Sequence, residues 1–527
     1  MTTWAIVADL NRCVGCQTCT SACKHANATA PGVQWRKVLD FETGEFPTVN
    51  RAFLPVGCMH CDEPSCLDAC PSTATRKRED GIVTIDYDLC IGCAYCAVSC
   101  PYQARFRVDK PTAAYGGMPM RHEAKREDPA RLGVAQKCTL CVERIDEGLA
   151  NGLVPGVDMQ ATPACVASCI SGALQMGDLD DPNSNVSTLL RTKRHFRMHE
   201  ELGNGPNIYY LYDGEIDEVS TPNAVPMVAE PVGLAAVSPK RQTNWDWRAA
   251  ANFICGGTGT GLLATTMAAG LFAPVLWPAV LVALAIVASG LFCIWLEIGR
   301  PWRFLNVFLN ARFSWMTREA MAAVPFFGFG GLSWLLGSPV LGVLGALSGL
   351  VFLYCQGRIL RAAKGIPAWR RPAIVPLILF TGLAEGAGVL AVLAFATGWS
   401  AAIGTSLAAV LLVLVGLRFV MWQRYRADLD RTGAPTGTFQ AFDAMQAGLS
   451  AVPQGVVAGL VLLATLVPTG QGLLLALAGL GAAVTGWLFK HTLITKAAFT
   501  QGYAINRMPA RGAGKSSPGV QPGWRKA

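Results

Sequence analysis

Histidine is scarce in this sequence: there are six in 527 residues, and only His491 lies beyond residue 245. A haem held by two imidazoles needs two axial histidines, so the second half is expected to carry no haem. Charge is also sparse, at 15% of residues, and the short segments "FAP", "GSP", "ATGWS" and "PTGQG" of the second half hold none. No Walker loop occurs, and no G-x-G-x-x-G stands between a strand and a helix. The run "GGTGTG" lies inside an apolar stretch, where glycine serves helix packing. Neither nucleotide chemistry nor any other substrate chemistry is expected of this chain. The opening "MTTWAIVADLNRC" does not read as a cleavable leader, and no twin-arginine signal is seen.

What is present divides the chain in two. Residues up to about 240 are polar and hold all the cysteines except Cys255, Cys293 and Cys355, which are scattered in apolar stretches and read as small buried hydrophobes. From about 249 to 490 the chain is mostly Leu, Ala, Val, Gly and Phe in long runs, which places that half in a membrane. The net charge of +8 could suit nucleic acid, but Lys and Arg of the second half stand beside apolar spans, so membrane orientation explains them and no nucleic acid partner is expected.

The cysteines fall into four groups: Cys13, Cys16, Cys19 and Cys23; Cys58, Cys61, Cys66 and Cys70; Cys90, Cys93, Cys96 and Cys100; and Cys138, Cys141, Cys165 and Cys169. Groups one and three are C-x2-C-x2-C-x3-C, the bacterial ferredoxin pattern for a cubane cluster, whose fourth cysteine ligates the neighbouring cluster. Structural zinc would use four thiolates per ion, often as two C-x2-C knuckles. Disulfides belong to a secreted domain. Neither pattern fits as well, and sixteen ligands make four [4Fe–4S] clusters with none over. Internal symmetry agrees: "DLNRCVGCQTC" and "DYDLCIGCAYC" each place Asp four residues before the first Cys, after the short strands expected in "WAIVA" and "GIVTI". Spacing alone leaves open which groups pair.

Eight apolar spans are expected at roughly 249–271, 275–298, 320–336, 340–357, 373–395, 401–420, 447–467 and 472–490. The alternate connections "RPWRFLNVFLNARFSWMTRE", "RILRAAKGIPAWRR" and "RFVMWQRYRADLDR", with the tail from "KHTLITKAAF", are rich in Arg and Lys. The positive-inside rule puts these, and the cysteine half with them, in the cytoplasm. Ionisable groups within spans are costly and usually functional. Glu297 ends the second span, Glu319 opens the third, Arg358 ends the fourth, Glu385 lies mid-way in the fifth and His491 ends the eighth. Glu297, Glu319, Arg312, Arg318 and Arg358 fall at the cysteine-half side, where a quinone head group needs a hydrogen-bonding partner at each carbonyl. For the arginines the plainer reading is interfacial snorkelling. Glu385 reads equally as part of a proton path or as a satisfied packing residue.

The stretches "CVGCQTCTSACK", "CMHCDEPSCLDACP", "CIGCAYCAVSCPY" and "CTLCVERIDEGLANGLVPGVDMQATPACVASCISGAL" resemble the four-cluster electron-transfer subunits of dimethyl sulfoxide reductase-type molybdoenzymes. That resemblance implies an α+β ferredoxin-like domain of two nested double-ferredoxin units over 1–215. It implies that group one pairs with four and group two with three. One cluster would take Cys13, Cys16, Cys19 and Cys169, and its mate Cys138, Cys141, Cys165 and Cys23. The third would take Cys58, Cys61, Cys66 and Cys100, and the fourth Cys90, Cys93, Cys96 and Cys70. Some relatives have Trp for a group-three cysteine and carry a three-iron cluster; Cys93 and Cys96 are kept here. "NFICGGTGTGLL" and "LEIGRPWRFLNVFLNARFSWMTREA" are similar to the all-α eight-helix, quinone-reactive anchors of the dimethyl sulfoxide and polysulfide reductase type, expected over 245–495 after a linker at 216–244 and before a cytoplasmic tail at 496–527. The resemblance ties the Glu319 position to quinol, and often has His where Glu297 stands. It implies a separate catalytic partner with molybdenum or tungsten bis-pterin, and electron relay between that partner and quinone. An inward-facing site suits oxidation of a substrate such as sulfite with quinone reduction. The alternatives are a quinol-oxidising subunit of a sulfoxide or polysulfide reductase and a proton-translocating module.

Overall fold

The computed structural model describes residues 2–43, 49–115, 117–118, 120–121, 124, 128–212, 234–445, 449–509 and 517–525. The chain divides into two compact units, Met1–Lys240 with Thr500–Trp524, and Arg241–Phe499 with Arg525–Ala527. Most of the linker expected at 216–244 lies outside the described residues.

The first unit is organised by a strand that was legible in "WAIVA". Trp4–Asp9 is buried on both faces, as a continuous apolar run requires. Trp4, Ile6 and Ala8 enter the main core, while Ala5 and Val7 pack with Val186 and Leu211 on the other face. The sheet order is Leu174–Asp178, Trp4–Asp9, Ile208–Leu211, His195–Arg197. Trp4–Asp9 runs antiparallel to Leu174–Asp178, with Ala8 opposite Leu174, and parallel to Ile208–Leu211, with Ile6 opposite Ile208. This register brings residue 13 and residue 169 to one end of the sheet. Antiparallel pairs Arg36–Thr43 with Asn50–Gly57 and Thr75–Lys77 with Val83–Ile85 complete the frame.

The segment expected as a tail is not one. Thr500–Trp524 belongs to the first unit. Ile505–Met508 pairs with Ser517–Val520, and Tyr503, Ile505, Met508 and Val520 are buried in that unit's core. His199 Nε2 lies 3.1 Å from the Gly502 carbonyl oxygen. The physical reason is the burial of these apolar side chains, at roughly 1.5–3 kcal/mol for each large aliphatic one.

The second unit is a helical bundle: α1 (Trp247–Ala269), α2 (Trp277–Glu297), α3 (Trp315–Leu336), α4 (Pro339–Ala362), α5 (Ile374–Ala396), α6 (Ser400–Thr432), α7 (Ala451–Leu466) and α8 (Gln471–Thr495). A helix occupies each of the eight apolar intervals, and six of them are long and apolar enough to cross a membrane: α2 to α6, and α8. The exceptions have separate causes. α7 has 16 residues. α1 is long but rich in Gly and Thr, because it packs against α2, α4, α5 and α8 and shows little side chain outward. Backbones touch where it crosses α5: a Cβ on Gly386 would collide with the Gly261 carbonyl carbon, and one on Gly261 with the Gly382 carbonyl oxygen. Small residues permit such approach where no hydrophobic force draws helices together. Gly386→Leu is therefore expected to separate α1 from α5 and lower the thermal midpoint in detergent, with a loss of about 3 kcal/mol or more; an unchanged melt would show that the crossing can relax.

Candidate functional site

All nineteen cysteines are described, and all are free thiols. The site begins with the turns that carry them. In "CVGCQ" and "CIGCA" the same two places hold left-handed backbone: Gly15 (φ 71°) with Gln17 (φ 60°), and Gly92 (φ 73°) with Ala94 (φ 57°). Each turn leads into a short helix, Thr18–Asn27 or Tyr95–Ser99. Three residues after the last cysteine of groups two, three and four, Thr73, Gln103 and Gly172 also have positive φ. The repeat seen in sequence is thus a repeat of backbone coil. Amides reach the sulfurs: the N–H groups of Leu140 and Leu174 donate to Cys138 and Cys169 at 3.3 and 3.4 Å, and that of Ala135, from a distant strand, to Cys90 at 3.5 Å.

Three thiols of one group come together with a fourth from another. Burial first, then Cys58, Cys66 and Cys100, push the Cys61 thiol well above its ordinary value. These four cysteines line one cavity. Burial, then Cys96, with Cys70 and Cys90 adding, does the same to Cys93, and these four line a second cavity. Cys23, the last of its group, is raised by burial and by Cys138, Cys165 and Cys141. Cys19 is raised by burial, with Arg36 opposing, and then by Cys13, Cys169 and Cys16. The helix Thr18–Asn27 packs on Ala164–Ala167, and Ser65–Ala69 packs on Tyr95–Ser99. Cys23 lies within Thr18–Asn27, and Cys70 and Cys100 directly follow Ser65–Ala69 and Tyr95–Ser99; Asn27 Nδ2 stands 3.7 Å from Cys23 Sγ and 3.8 Å from Cys141 Sγ.

Among the described residues, no three His, Cys, Asp or Glu side chains close on a single-ion site. Four thiols lining one cavity, with no three closing on a single ion, suit a polynuclear group better than one tetrahedral ion. Burial first, then neighbouring thiols, raise Cys96 and Cys100 to about 12 and Cys141 to about 11, with Arg105 opposing at Cys96. Iron would supply the positive charge that keeps them as thiolates. Cys16, lowered by hydrogen bonding to Thr18, and Cys58 are exceptions; at Cys58 two basic neighbours act. Burial raises Cys58, but Lys137 and then His60 outweigh that and bring it well below the thiol range.

Sequence reasoning missed four basic residues among the thiols. Arg36 (1% exposed), His60 (3%), Arg105 (6%) and Lys137 (1%) are buried in the first unit. His60 inside "CMHC" and Lys137 beside Cys138 could have been noticed; Arg36 has no local signal, since only folding brings its hairpin to the cysteines.

In the second unit Glu319 is buried against Asn252 of α1 and Gln356 of α4, and its Oε1 has no hydrogen-bond partner. Arg318 and Arg358 are half-buried and stack on Trp315, their guanidinium carbons 4.2 and 4.1 Å from its ring centre. With Glu319 they surround the Cys355 thiol. Glu297 is buried at the end of α2, and Arg312 is exposed over Phe313. Glu385 is fully buried and ion-paired: Lys490 Nζ is 2.7 Å from its Oε2, and Thr258 Oγ1 donates to the same oxygen at 3.0 Å. Arg418, also fully buried, donates to the Ala482 carbonyl and to Gln454 Oε1, both at 2.7 Å. The three polar residues Lys490, Thr258 and Arg418 gave no sequence signal as partners of Glu385.

Fold and thiol arrangement define an iron–sulfur electron-transfer protein joined to a multi-pass membrane unit. Residues 49–116 match a family described as a 4Fe-4S dicluster domain. The chain is 41% identical to a subunit of the selenate reductase of Mesobacillus selenatarsenatis over 224 residues, 40% of this chain and 71% of that protein. It is 35% identical to a subunit of the sulfite dehydrogenase of Allochromatium vinosum, over 40% of this chain and 83% of that one. It is 37% identical to the iron–sulfur cluster-binding subunit of menaquinone reductase of Nitratidesulfovibrio vulgaris, over 40% and 88%. The chain belongs to this family of iron–sulfur electron-transfer subunits of oxidoreductase complexes, none of them the catalytic subunit; each match covers about 40% of this chain.

Proposed function

We propose that the chain relays electrons between a separate catalytic subunit, with molybdenum or tungsten bis-pterin, and the quinone pool, and anchors that subunit to the membrane. What supports this reading is that Cys19, Cys23, Cys61 and Cys93 each have neighbouring thiols from two groups of the sequence. On this reading the sets are Cys13, Cys16, Cys19, Cys169; Cys23, Cys138, Cys141, Cys165; Cys58, Cys61, Cys66, Cys100; and Cys70, Cys90, Cys93, Cys96, in two nested double-ferredoxin units. Four [4Fe–4S] clusters would supply one-electron transfer. The protein holds them apart from water and donates hydrogen bonds to their sulfurs. All eight helices cross the cytoplasmic membrane, with the cluster unit on the cytoplasmic side, and no haem takes part.

Quinone binds near Glu319, with Glu297, Arg318 and Arg358 shaping the surroundings. A buried carboxyl with one oxygen unpartnered can exchange a proton with a quinone oxygen as electrons arrive or leave. An inward-facing site favours substrate oxidation with quinone reduction, and the relatives named for sulfite dehydrogenase and menaquinone reductase support that direction. The test is reoxidation of chemically reduced, anaerobically purified protein by a short-chain menaquinone. Glu319→Ala is expected to slow that reaction by on the order of a hundredfold with cluster spectra unchanged. Normal quinone kinetics would retire Glu319, and no reoxidation in the parent protein would retire the relay.

A further inference from the structure

Three of the buried cations stand at regular places among the thiol sets. Arg36 faces Cys165 and Cys138 of one set and Cys19 of another. None of its three guanidinium nitrogens has a hydrogen-bond partner. Lys137 Nζ donates to the carbonyl oxygens of Val83 and of Cys138, the latter at 2.7 Å, and its charge acts on Cys58 and Cys66 of the next set. Arg105 Nη2 donates to Cys66 Sγ at 3.0 Å and Nη1 to Thr75 Oγ1 at 3.0 Å; it faces Cys66, Cys58 and Cys100 of one set and Cys96 of the last. Among the described residues none of the three makes an ion pair with a carboxylate.

A buried cation without a carboxylate is expensive unless another negative charge balances it. The charges within reach are cysteine sulfurs: Arg36 and Arg105 each face sulfurs of two sets, and Lys137 acts on the sulfurs of one set while its ammonium is held on the Cys138 carbonyl of another. We propose that Arg36, Lys137 and Arg105 are potential-setting residues, one at each junction of a four-cluster chain, each shared by the two clusters it separates. Each one-electron reduction adds a negative charge to a cluster, and a fixed cation beside it favours the reduced form. Net charge and hydrogen bonds to sulfur are levers that set such potentials, and water-poor surroundings strengthen them. Because each cation is shared, its removal moves two neighbouring clusters in the same direction and leaves the others in place. A residue that only packed would not produce this pattern. The inference rests on the four-cluster reading above.

The experiment is an anaerobic redox titration of the full-length protein in detergent, followed by low-temperature electron paramagnetic resonance, with iron measured on the same samples. In Arg36→Met, two of the four clusters are expected to become harder to reduce by about tenfold in the equilibrium constant, about 59 mV for a one-electron couple. Arg36→Lys is expected to keep the parent values. Lys137→Met and Arg105→Met shift their own neighbouring pairs, each sharing one cluster with the next. Should Arg36→Met lose iron, the other two variants carry the same test. Full iron with unmoved potentials, or an Arg36→Lys shift equal to that of Met, would overturn the inference and leave the relay standing. A parent protein without four clusters would overturn the reading beneath it.

Discussion

Protein isolated without oxygen is expected to hold about sixteen irons per chain, four in each of four cubanes, and paired cysteine substitutions should remove them in a crossed pattern. Cys70 follows Cys66 in sequence by four residues, yet it lines a cavity with Cys90, Cys93 and Cys96. The double variant Cys70→Ala/Cys90→Ala should therefore damage one cluster and lose at most about four irons. Cys58→Ala/Cys70→Ala should damage two and lose up to about eight, although both residues belong to one sequence group. Iron analysis with spectroscopic cluster counting reads the difference. If the second double variant cost no more than the first, thiols would be partnered within groups. The effect on stability is also large. Thiols such as Cys100, pushed up to about 12 by burial and then by Cys66, are held as ligands only with metal. Ligand binding and folding of the first unit then share one free energy. Iron chelation is expected to lower its cooperative unfolding transition well before that of the helical unit, which calorimetry would show as two separated events.

The second large effect lies in the bundle. Lys490→Met alone should leave the Glu385 carboxylate buried without its ion partner, at a cost of about 3–5 kcal/mol; Glu385→Gln should cost a similar amount. The pair Glu385→Met/Lys490→Met should recover most of the loss, because a pair replaced together leaves no orphaned charge. Thermal unfolding in detergent, run as a double-mutant cycle, measures this coupling. The site is built for the pair. A Cβ on Gly257 would collide with Lys490 Nζ, and one on Gly486 with Glu385 Oε1. Glycine at both positions makes room for charges that lipid would not accept. If each single variant melted like the parent, the ion pair would contribute nothing to the bundle. That outcome would return Glu385 to the residues whose cost is explained only by function.

Much of this protein was legible one residue at a time. Cysteine spacing specified ligand triplets, because a C-x2-C-x2-C turn can present three thiols to one group. Runs of apolar residues about the length of a bilayer specified helices, because no other unclosed structure satisfies its backbone there. What spacing could not supply was anything that depends on two distant segments meeting. The register of Trp4–Asp9 with Leu174–Asp178 brings the first cysteine group to the fourth. The short helices carry Cys23 and Cys70 to foreign groups. Glu385 read equally as proton carrier or packing residue until Lys490, 105 positions on, was found beside it. Nothing in the local sequence marks Arg36 or Arg105 as neighbours of the thiols. Charge placement is long-range in sequence and short-range in space, so only tertiary structure decides which buried charge answers which. Composition and local pattern decide where the chain lies and what it can ligate.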